Sequence, residues 1–112
     1  NNKVHIEEIK YWGLDHIVVD KNITYKDAKE EFYRIFNDSV NLRMISDVPL
    51  AFMLSGGLDS SSIVSLAAKS NPKKEIFAIS AVYPGSVYDE SKYAIEVVNK
   101  YKNIKRNCNI LL

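Results

Sequence analysis

Val48-Pro49-Leu50-Ala51-Phe52-Met53-Leu54-Ser55-Gly56-Gly57-Leu58-Asp59-Ser60-Ser61 is the stretch whose reading decides the fold. An apolar run leads into a glycine pair, and Ser62-Ile63-Val64-Ser65-Leu66-Ala67-Ala68-Lys69 follows with a composition that favours helix. The layout is strand, glycine turn, helix. The two glycines can take positive φ and bring backbone amides close to a ligand, and the first helical turn leaves its N–H groups unpaired. Those amides and the positive end of the helix dipole form an anion site. Ser55, Ser60 and Ser61 add hydroxyl donors. Asp59 places a carboxylate where an anion site should repel one, and the plainest use for it is Mg²⁺, which takes one or two carboxylates plus phosphate oxygens. Asp59 or a neighbouring serine also has the chemistry of a helix N-cap, but a cap accounts for one residue of the run. The patterns G-x-x-x-x-G-K-[ST] and G-x-G-x-x-G are absent.

Working outward, Pro49 is tolerated only at the beginning of a strand, so strand hydrogen bonding is expected after it. The continuous apolar run predicts a central parallel strand buried on both faces. The glycine turn then falls at the carboxyl end of that strand, the edge at which open α/β sheets bind ligands. Upstream, Thr24 followed by Asp27 is a capping-box arrangement with Asp in place of Glu. Tyr25, Ala28, Phe32, Ile35, Phe36, Val40 and Met44 recur at helical spacing, which predicts a long amphipathic helix from about Tyr25 to Met44 packed on the sheet. Downstream, Asn71-Pro72-Lys73-Lys74 is a turn and Ile76 to Val82 a second apolar strand. Tyr83-Pro84-Gly85-Ser86 is a loop, and Asp89 can cap a helix that runs to about Tyr101 with Ala94, Val97, Val98 and Tyr101 inward. Asn107 to Leu112 reads as a third strand. This alternation implies an α/β parallel sheet with right-handed crossovers.

Together S-G-G-L-D-S-S at Ser55 to Ser61 resembles the pyrophosphate loop of the ATP pyrophosphatases, and R-x-x-S-D-V-P from Arg43 to Pro49 narrows the resemblance. It is similar to the synthetase domain of glutamine-dependent asparagine synthetases. Phe77-Ala78-Ile79-Ser80 and Tyr88-Asp89-Glu90-Ser91-Lys92-Tyr93-Ala94 fit that domain's second strand and second helix, so the likeness covers most of residues 25–101.

The resemblance implies a Rossmann-like, adenine nucleotide alpha hydrolase-like three-layer fold, incomplete here. Residues 1–23 would be a lead-in segment and 24–112 the amino-terminal part of the synthetase domain. ATP would lie against backbone at Leu54 and Ile79, with its phosphates over Ser55, Gly56, Gly57, Ser60 and Ser61. Asp59 would be the catalytic residue and the Mg²⁺ ligand. The implied reaction is attack of an aspartate carboxylate on ATP, giving aspartyl-AMP and pyrophosphate, then displacement of AMP by ammonia. Ending on Ile110-Leu111-Leu112 would leave an apolar strand without a covering helix, so a piece of a longer chain is expected. A glutaminase domain, a downstream acidic loop and basic catalytic residues would belong to that parent chain, and a homodimer fits the family. Arg43 is expected near the approach to the loop, or as a solvated charge at a helix end. Two other readings stay open. One is a relative that amidates or cyclises another carboxylate, which the phrase Tyr83 to Glu90 slightly favours. The other is a noncatalytic nucleotide-binding module.

Composition narrows the partners. Net charge is +1 over 112 residues, so nucleic acid is not implied, and the longest apolar run is far short of a membrane span. The polar opening Asn1-Asn2-Lys3 is not patterned as a signal peptide, and a cytoplasmic protein is the expectation. Cys108 is the single cysteine, which excludes an intrachain disulfide and a CxxC zinc site and reads as a small buried apolar residue. His5 and His16 lack a second ligand at metal spacing and read as structural or surface residues. Val4-His5-Ile6 alternates like a short strand, and Tyr11-Trp12 stands where the family carries a Tyr-Trp pair.

Overall fold

A computed structural model describes residues 6–110, and of residues 108–110 the backbone alone. Three helices and three strands alternate after an irregular beginning: α1 (Tyr25–Arg43), β1 (Ala51–Met53), α2 (Leu58–Ser70), β2 (Ile76–Val82), α3 (Ser91–Lys100) and β3 (Ile104–Ile110). The strands lie in the order β1-β2-β3, all parallel, with Phe52 opposite Ala78 and Ala78 opposite Arg106. This is a partial Rossmann-like α/β sheet, as the alternation of elements predicts.

Strand alternation divides the sheet. Phe52 and Leu54, Ile76, Ala78 and Ser80, and Ile104 point to the side on which the helices pack. Val40 of α1, Val64, Ala67 and Ala68 of α2 and Ala94 of α3 close a core there, and Leu54, Val64, Ala67 and Ala94 are fully buried. Small side chains on α2 and α3 let the helices approach the sheet closely.

On the opposite side Met53 is 67% exposed and Phe77 42%, while Ile79 and Ala81 are half-buried. The expectation that β1 is central and buried on both faces therefore does not hold within the described residues. It is an edge strand with Ala51 and Met53 exposed and Phe52 half-buried. An apolar run reports what a strand is suited to bury, whereas burial needs a second layer in contact with it.

Helix α1 keeps its predicted bounds. Thr24 caps it, accepting the Asp27 N–H at 3.2 Å, but the Asp27 carboxylate takes the Thr24 hydroxyl at 2.7 Å rather than reaching back to a backbone N–H. Only its carboxyl-terminal half packs: Val40 is buried with Phe36 and Met44 against the core, while Tyr25, Phe32 and Ile35 are exposed. Periodicity located one apolar face, but α1 lies chiefly against α2 rather than on the sheet as expected, and only half of its length is covered. β2 matches expectation, and α3 has Ala94, Val97, Val98 and Tyr101 inward, but its N-cap is Glu90 rather than the expected Asp89, whose carboxylate accepts the Ser91 N–H from one residue farther back. β3 begins three residues before the expected Asn107, because Ile104 pairs with Ile76 and is 5% exposed. Residues 6–23 hold one short 3-10 turn, Leu14–His16, and Tyr11 and Trp12 are exposed. Val4, His5, Leu111 and Leu112 lie outside the described residues, as does the Cys108 side chain.

Candidate functional site

Beyond the carboxyl ends of β1 and β2 the chain makes the turn Ser55-Gly56-Gly57 and enters α2 at Leu58. Gly57 is the N-cap, with extended φ −65° and ψ 164°, so neither Asp59 nor a serine caps this helix. Asp59, Ser60 and Ser61 lie within its first turns. The expectation of positive φ at both glycines holds for one, Gly56 at 105°.

The two glycines are glycines for different reasons. A Cβ at Gly56 would stand 2.6 Å from the Glu90 carbonyl oxygen and 2.9 Å from the Ala94 nitrogen, so the start of α3 rests on this residue. Side-chain absence there serves packing and backbone conformation. A Cβ at Gly57 would meet nothing closer than the Ser55 Oγ at 3.4 Å and a Glu90 carboxylate oxygen at 4.0 Å. Its φ suits any residue, so no part of the described protein requires glycine at 57. The space beside it is open.

Hydroxyls fix the turn. Ser55 Oγ accepts the Gly57 N–H at 3.2 Å and lies 3.0 Å from Ser60 Oγ, which donates to the Gly57 carbonyl at 3.2 Å. Ser61 Oγ is buried without a hydrogen-bond partner. Asp59 is exposed. Leu54 presents no side chain, being fully buried, and its N–H donates to the Ile79 carbonyl at 2.8 Å. A cleft of about 180 Å³ beside the turn is lined by Leu54, Ser55, Ser60 and Ile79 among others. The structure thus brings those four predicted residues to one concavity. Gly56 lies under α3. Arg43 is elsewhere, exposed at the end of α1 beside Phe52 and Ile63.

Two groups escaped the sequence reading. Tyr83, Tyr88 and Glu90 also line the cleft. They follow β2, where the strand-end rule for α/β sheets could have flagged them; the sequence singles out Tyr83 to Glu90 as a phrase but gives none of its residues a place at the site. Behind the turn, Ser80, 1% exposed, donates its hydroxyl to the Leu54 carbonyl at 2.6 Å and accepts from Arg106 Nε at 2.9 Å. A terminal nitrogen of Arg106 is buried without a partner. The parity of β3, with Ile104 inward, would have pointed Arg106 inward too. The nearby Asp89 carboxyl is held below the ordinary carboxylate range, chiefly because its oxygen accepts the Ser91 N–H at 2.9 Å, then through the Ser91 hydroxyl and the Arg106 charge.

The donor set suits Mg²⁺ bound together with a nucleotide. Among the described residues no three His, Cys, Asp or Glu side chains gather as a metal cage, and Mg²⁺ on phosphates asks for only one or two carboxylates. No described helix is long and apolar enough to cross a membrane.

The asparagine synthase family model matches residues 31–110. The chain is 34% identical over 103 residues to a candidate glutamine-hydrolysing asparagine synthetase, the second of Methanocaldococcus jannaschii, covering 90% of this chain and 19% of that protein. It is 44% identical over 54 residues to glutamine-hydrolysing asparagine synthetase 1 of Bacillus subtilis, which is 48% of this chain and 8% of the relative. Against the glutamine-hydrolysing asparagine synthetase B of Escherichia coli it is 42% identical over 56 residues, 50% of this chain and 10% of the relative. The chain spans a fifth or less of the length of these curated relatives.

Proposed function

Because this chain belongs to the asparagine synthase family, we propose that it carries the ATP-handling turn of an amide-forming synthetase that adenylates aspartate and releases pyrophosphate. The observation that carries this reading is the open space at Gly57. A residue that the protein's own packing leaves free to be anything is glycine at the N-cap of a helix, where an anion needs close approach to backbone N–H groups. Ser55 and Ser60, already oriented by bonds to Gly57, would offer their hydroxyls to phosphate oxygens, and Ser61 has an oxygen in want of a partner. Leu54 and Ile79 would bound the adenosine side of the cleft.

Asp59 would hold Mg²⁺, which when bound supplies charge neutralisation on the phosphates. In the proposed reaction an aspartate side-chain oxygen forms a bond to the α-phosphorus of ATP as pyrophosphate leaves. Ammonia then attacks the acyl carbon of aspartyl-AMP, and AMP departs with the bonding electron pair. The turn contributes positioning and fixed dipoles rather than covalent chemistry. Ammonia would come from glutamine on another part of the parent chain, in keeping with the glutamine-hydrolysing relatives, and the reaction would be cytoplasmic.

The test uses the full-length protein with Asp59→Asn. Pyrophosphate release dependent on aspartate is expected to fall by about a hundredfold or more, with ATP affinity changing less, because charge on the leaving group grows in the transition state. Unchanged turnover would remove Asp59 from the metal site. Faster pyrophosphate release with a different carboxylic acid would replace aspartate as the acceptor.

A further inference from the structure

The other edge of the sheet holds the larger concavity. Where α2 and α3 end and β2 and β3 begin, a cleft of about 600 Å³ is ringed by Lys69, Lys73, Lys74, Lys100, Lys102 and Lys105. Glu75 is the one carboxylate on its lining, 3.7 Å from the Lys105 ammonium. In a chain of net charge +1, six of 15 lysines and arginines converge on one hollow. Helix polarity accounts for two of them: Lys69 and Lys100 occupy last turns, where a cation complements the negative end of the dipole. It does not account for Lys73, Lys74, Lys102 and Lys105, which lie beyond the helix ends. Like charges gathered around a hollow repel, and an anion bound among them relieves that repulsion.

The floor beneath the lysines is fixed. The Asn103 side-chain NH2 shares its two hydrogens among the carbonyls of Ala68, Asn71 and Lys74, each at 3.1 Å, and its backbone carbonyl accepts the Ile76 N–H at 2.9 Å. One residue thereby ties together the end of α2, the turn after it, and the starts of β2 and β3. Asn71 continues the tie, donating to the Ala67 carbonyl and to Asn41 Oδ1 of α1, each at 3.1 Å. Pro72 and Tyr101 supply apolar wall.

We propose that this cleft is a second anion site, which binds a small molecule carrying two or more phosphate groups. Its volume lies within the range of about 300–1,000 Å³ typical of small-ligand sites. Lysine ammonium groups hold phosphate as point charges. Several lysines ask for several negative charges. The Tyr101 and Pro72 wall gives a nucleoside somewhere to rest, so the phosphates can come from a nucleotide or from an inorganic chain. The site is independent of the reading of the glycine turn.

Titration calorimetry on the full-length protein at physiological ionic strength tests it, with inorganic tripolyphosphate and ADP as probes and Gly57→Val as the background that fills the turn. Saturable tripolyphosphate binding is expected to survive Gly57→Val and to weaken by about tenfold or more in Lys73→Glu/Lys102→Glu. A matched pair, Lys26→Glu/Lys29→Glu on α1, should leave it unchanged. Tighter ADP binding would mark a nucleoside on the Tyr101 wall, and equal or weaker ADP binding an inorganic phosphate chain; either supports the site. Equal weakening by both lysine pairs, no effect of the Lys73 and Lys102 pair, or complete loss with Gly57→Val would overturn it.

Discussion

The two ends of one sheet treat negative charge by opposite means. At the carboxyl edge the cleft of about 180 Å³ has no lysine or arginine on its lining, and its polarity comes from serine hydroxyls, one glutamate and the N-terminus of α2. At the amino edge the cleft of about 600 Å³ is ringed by six lysines. A search guided by size or by positive charge would choose the amino edge. Phosphoryl chemistry asks for donors that do not move during the reaction, and backbone N–H groups held by a turn meet that demand better than ammonium groups on four-carbon stems. Exposed lysines suit binding that must be reversible.

The contrast is sharpest between the two glycines, where the largest effect is expected. Gly56→Ala places a Cβ against the Glu90 carbonyl at 2.6 Å on a backbone with φ 105°, and should destabilise the protein by about 2–5 kcal/mol. Gly57→Ala should cost less than about 1 kcal/mol, the difference between glycine and alanine at an N-cap, yet weaken Mg-ATP binding. Chemical denaturation beside nucleotide titration reads both. Equal stability loss at the two positions would mean that Gly57 also serves packing, and the turn would lose its claim to an open phosphate cradle.

An intermediate effect is expected behind the turn. Ser80→Ala leaves the buried Leu54 carbonyl and Arg106 Nε without their shared hydroxyl, at a cost of about 1–3 kcal/mol. Ser80→Thr, which keeps the oxygen, should recover most of that stability. Loss of the same size in both variants would show that volume, not the hydrogen bonds, matters at this position.

The smallest effect concerns pH. The folded-state pKa of Asp89 is lowered by the Ser91 N–H, so its contribution is present above the ordinary carboxylate range and fades as pH falls through the depressed folded value. Asp89→Asn should lower stability at and above neutrality and flatten the acid side of the curve, the variant and the parent protein converging at pH below the depressed folded value. A curve with unchanged acid slope would show that the Ser91 contact is not made in solution.

Local patterns in the sequence carried the elements. Apolar periodicity delimited α1 to within a residue, Thr24 marked its start, and the run Ile76 to Val82 is β2 as found. The glycine turn was legible because strand, glycine pair and helix are adjacent in the chain. Arg106 and Ser80 were not, since their meeting depends on β3 pairing with β2 across 26 residues. The half-exposed α1 was overread for a related reason: spacing defines a face, and only a neighbour can cover it. The lysines of the amino edge come from two separate helix ends and the segments after them, so their convergence has no signature along the chain.

By itself, then, the amino-acid sequence determined an alternating α/β order, a parallel sheet, a glycine turn at a strand's carboxyl end and a resemblance to the asparagine synthase family. All of these rest on interactions between residues near in sequence or on motifs read in one stretch. Only the tertiary structure decided that Gly56 is held by α3 while Gly57 faces open space, that β1 is an edge strand, and that six lysines share one hollow. Each of those depends on how separate segments pack, and packing is set by which surfaces meet, which chain order alone does not specify.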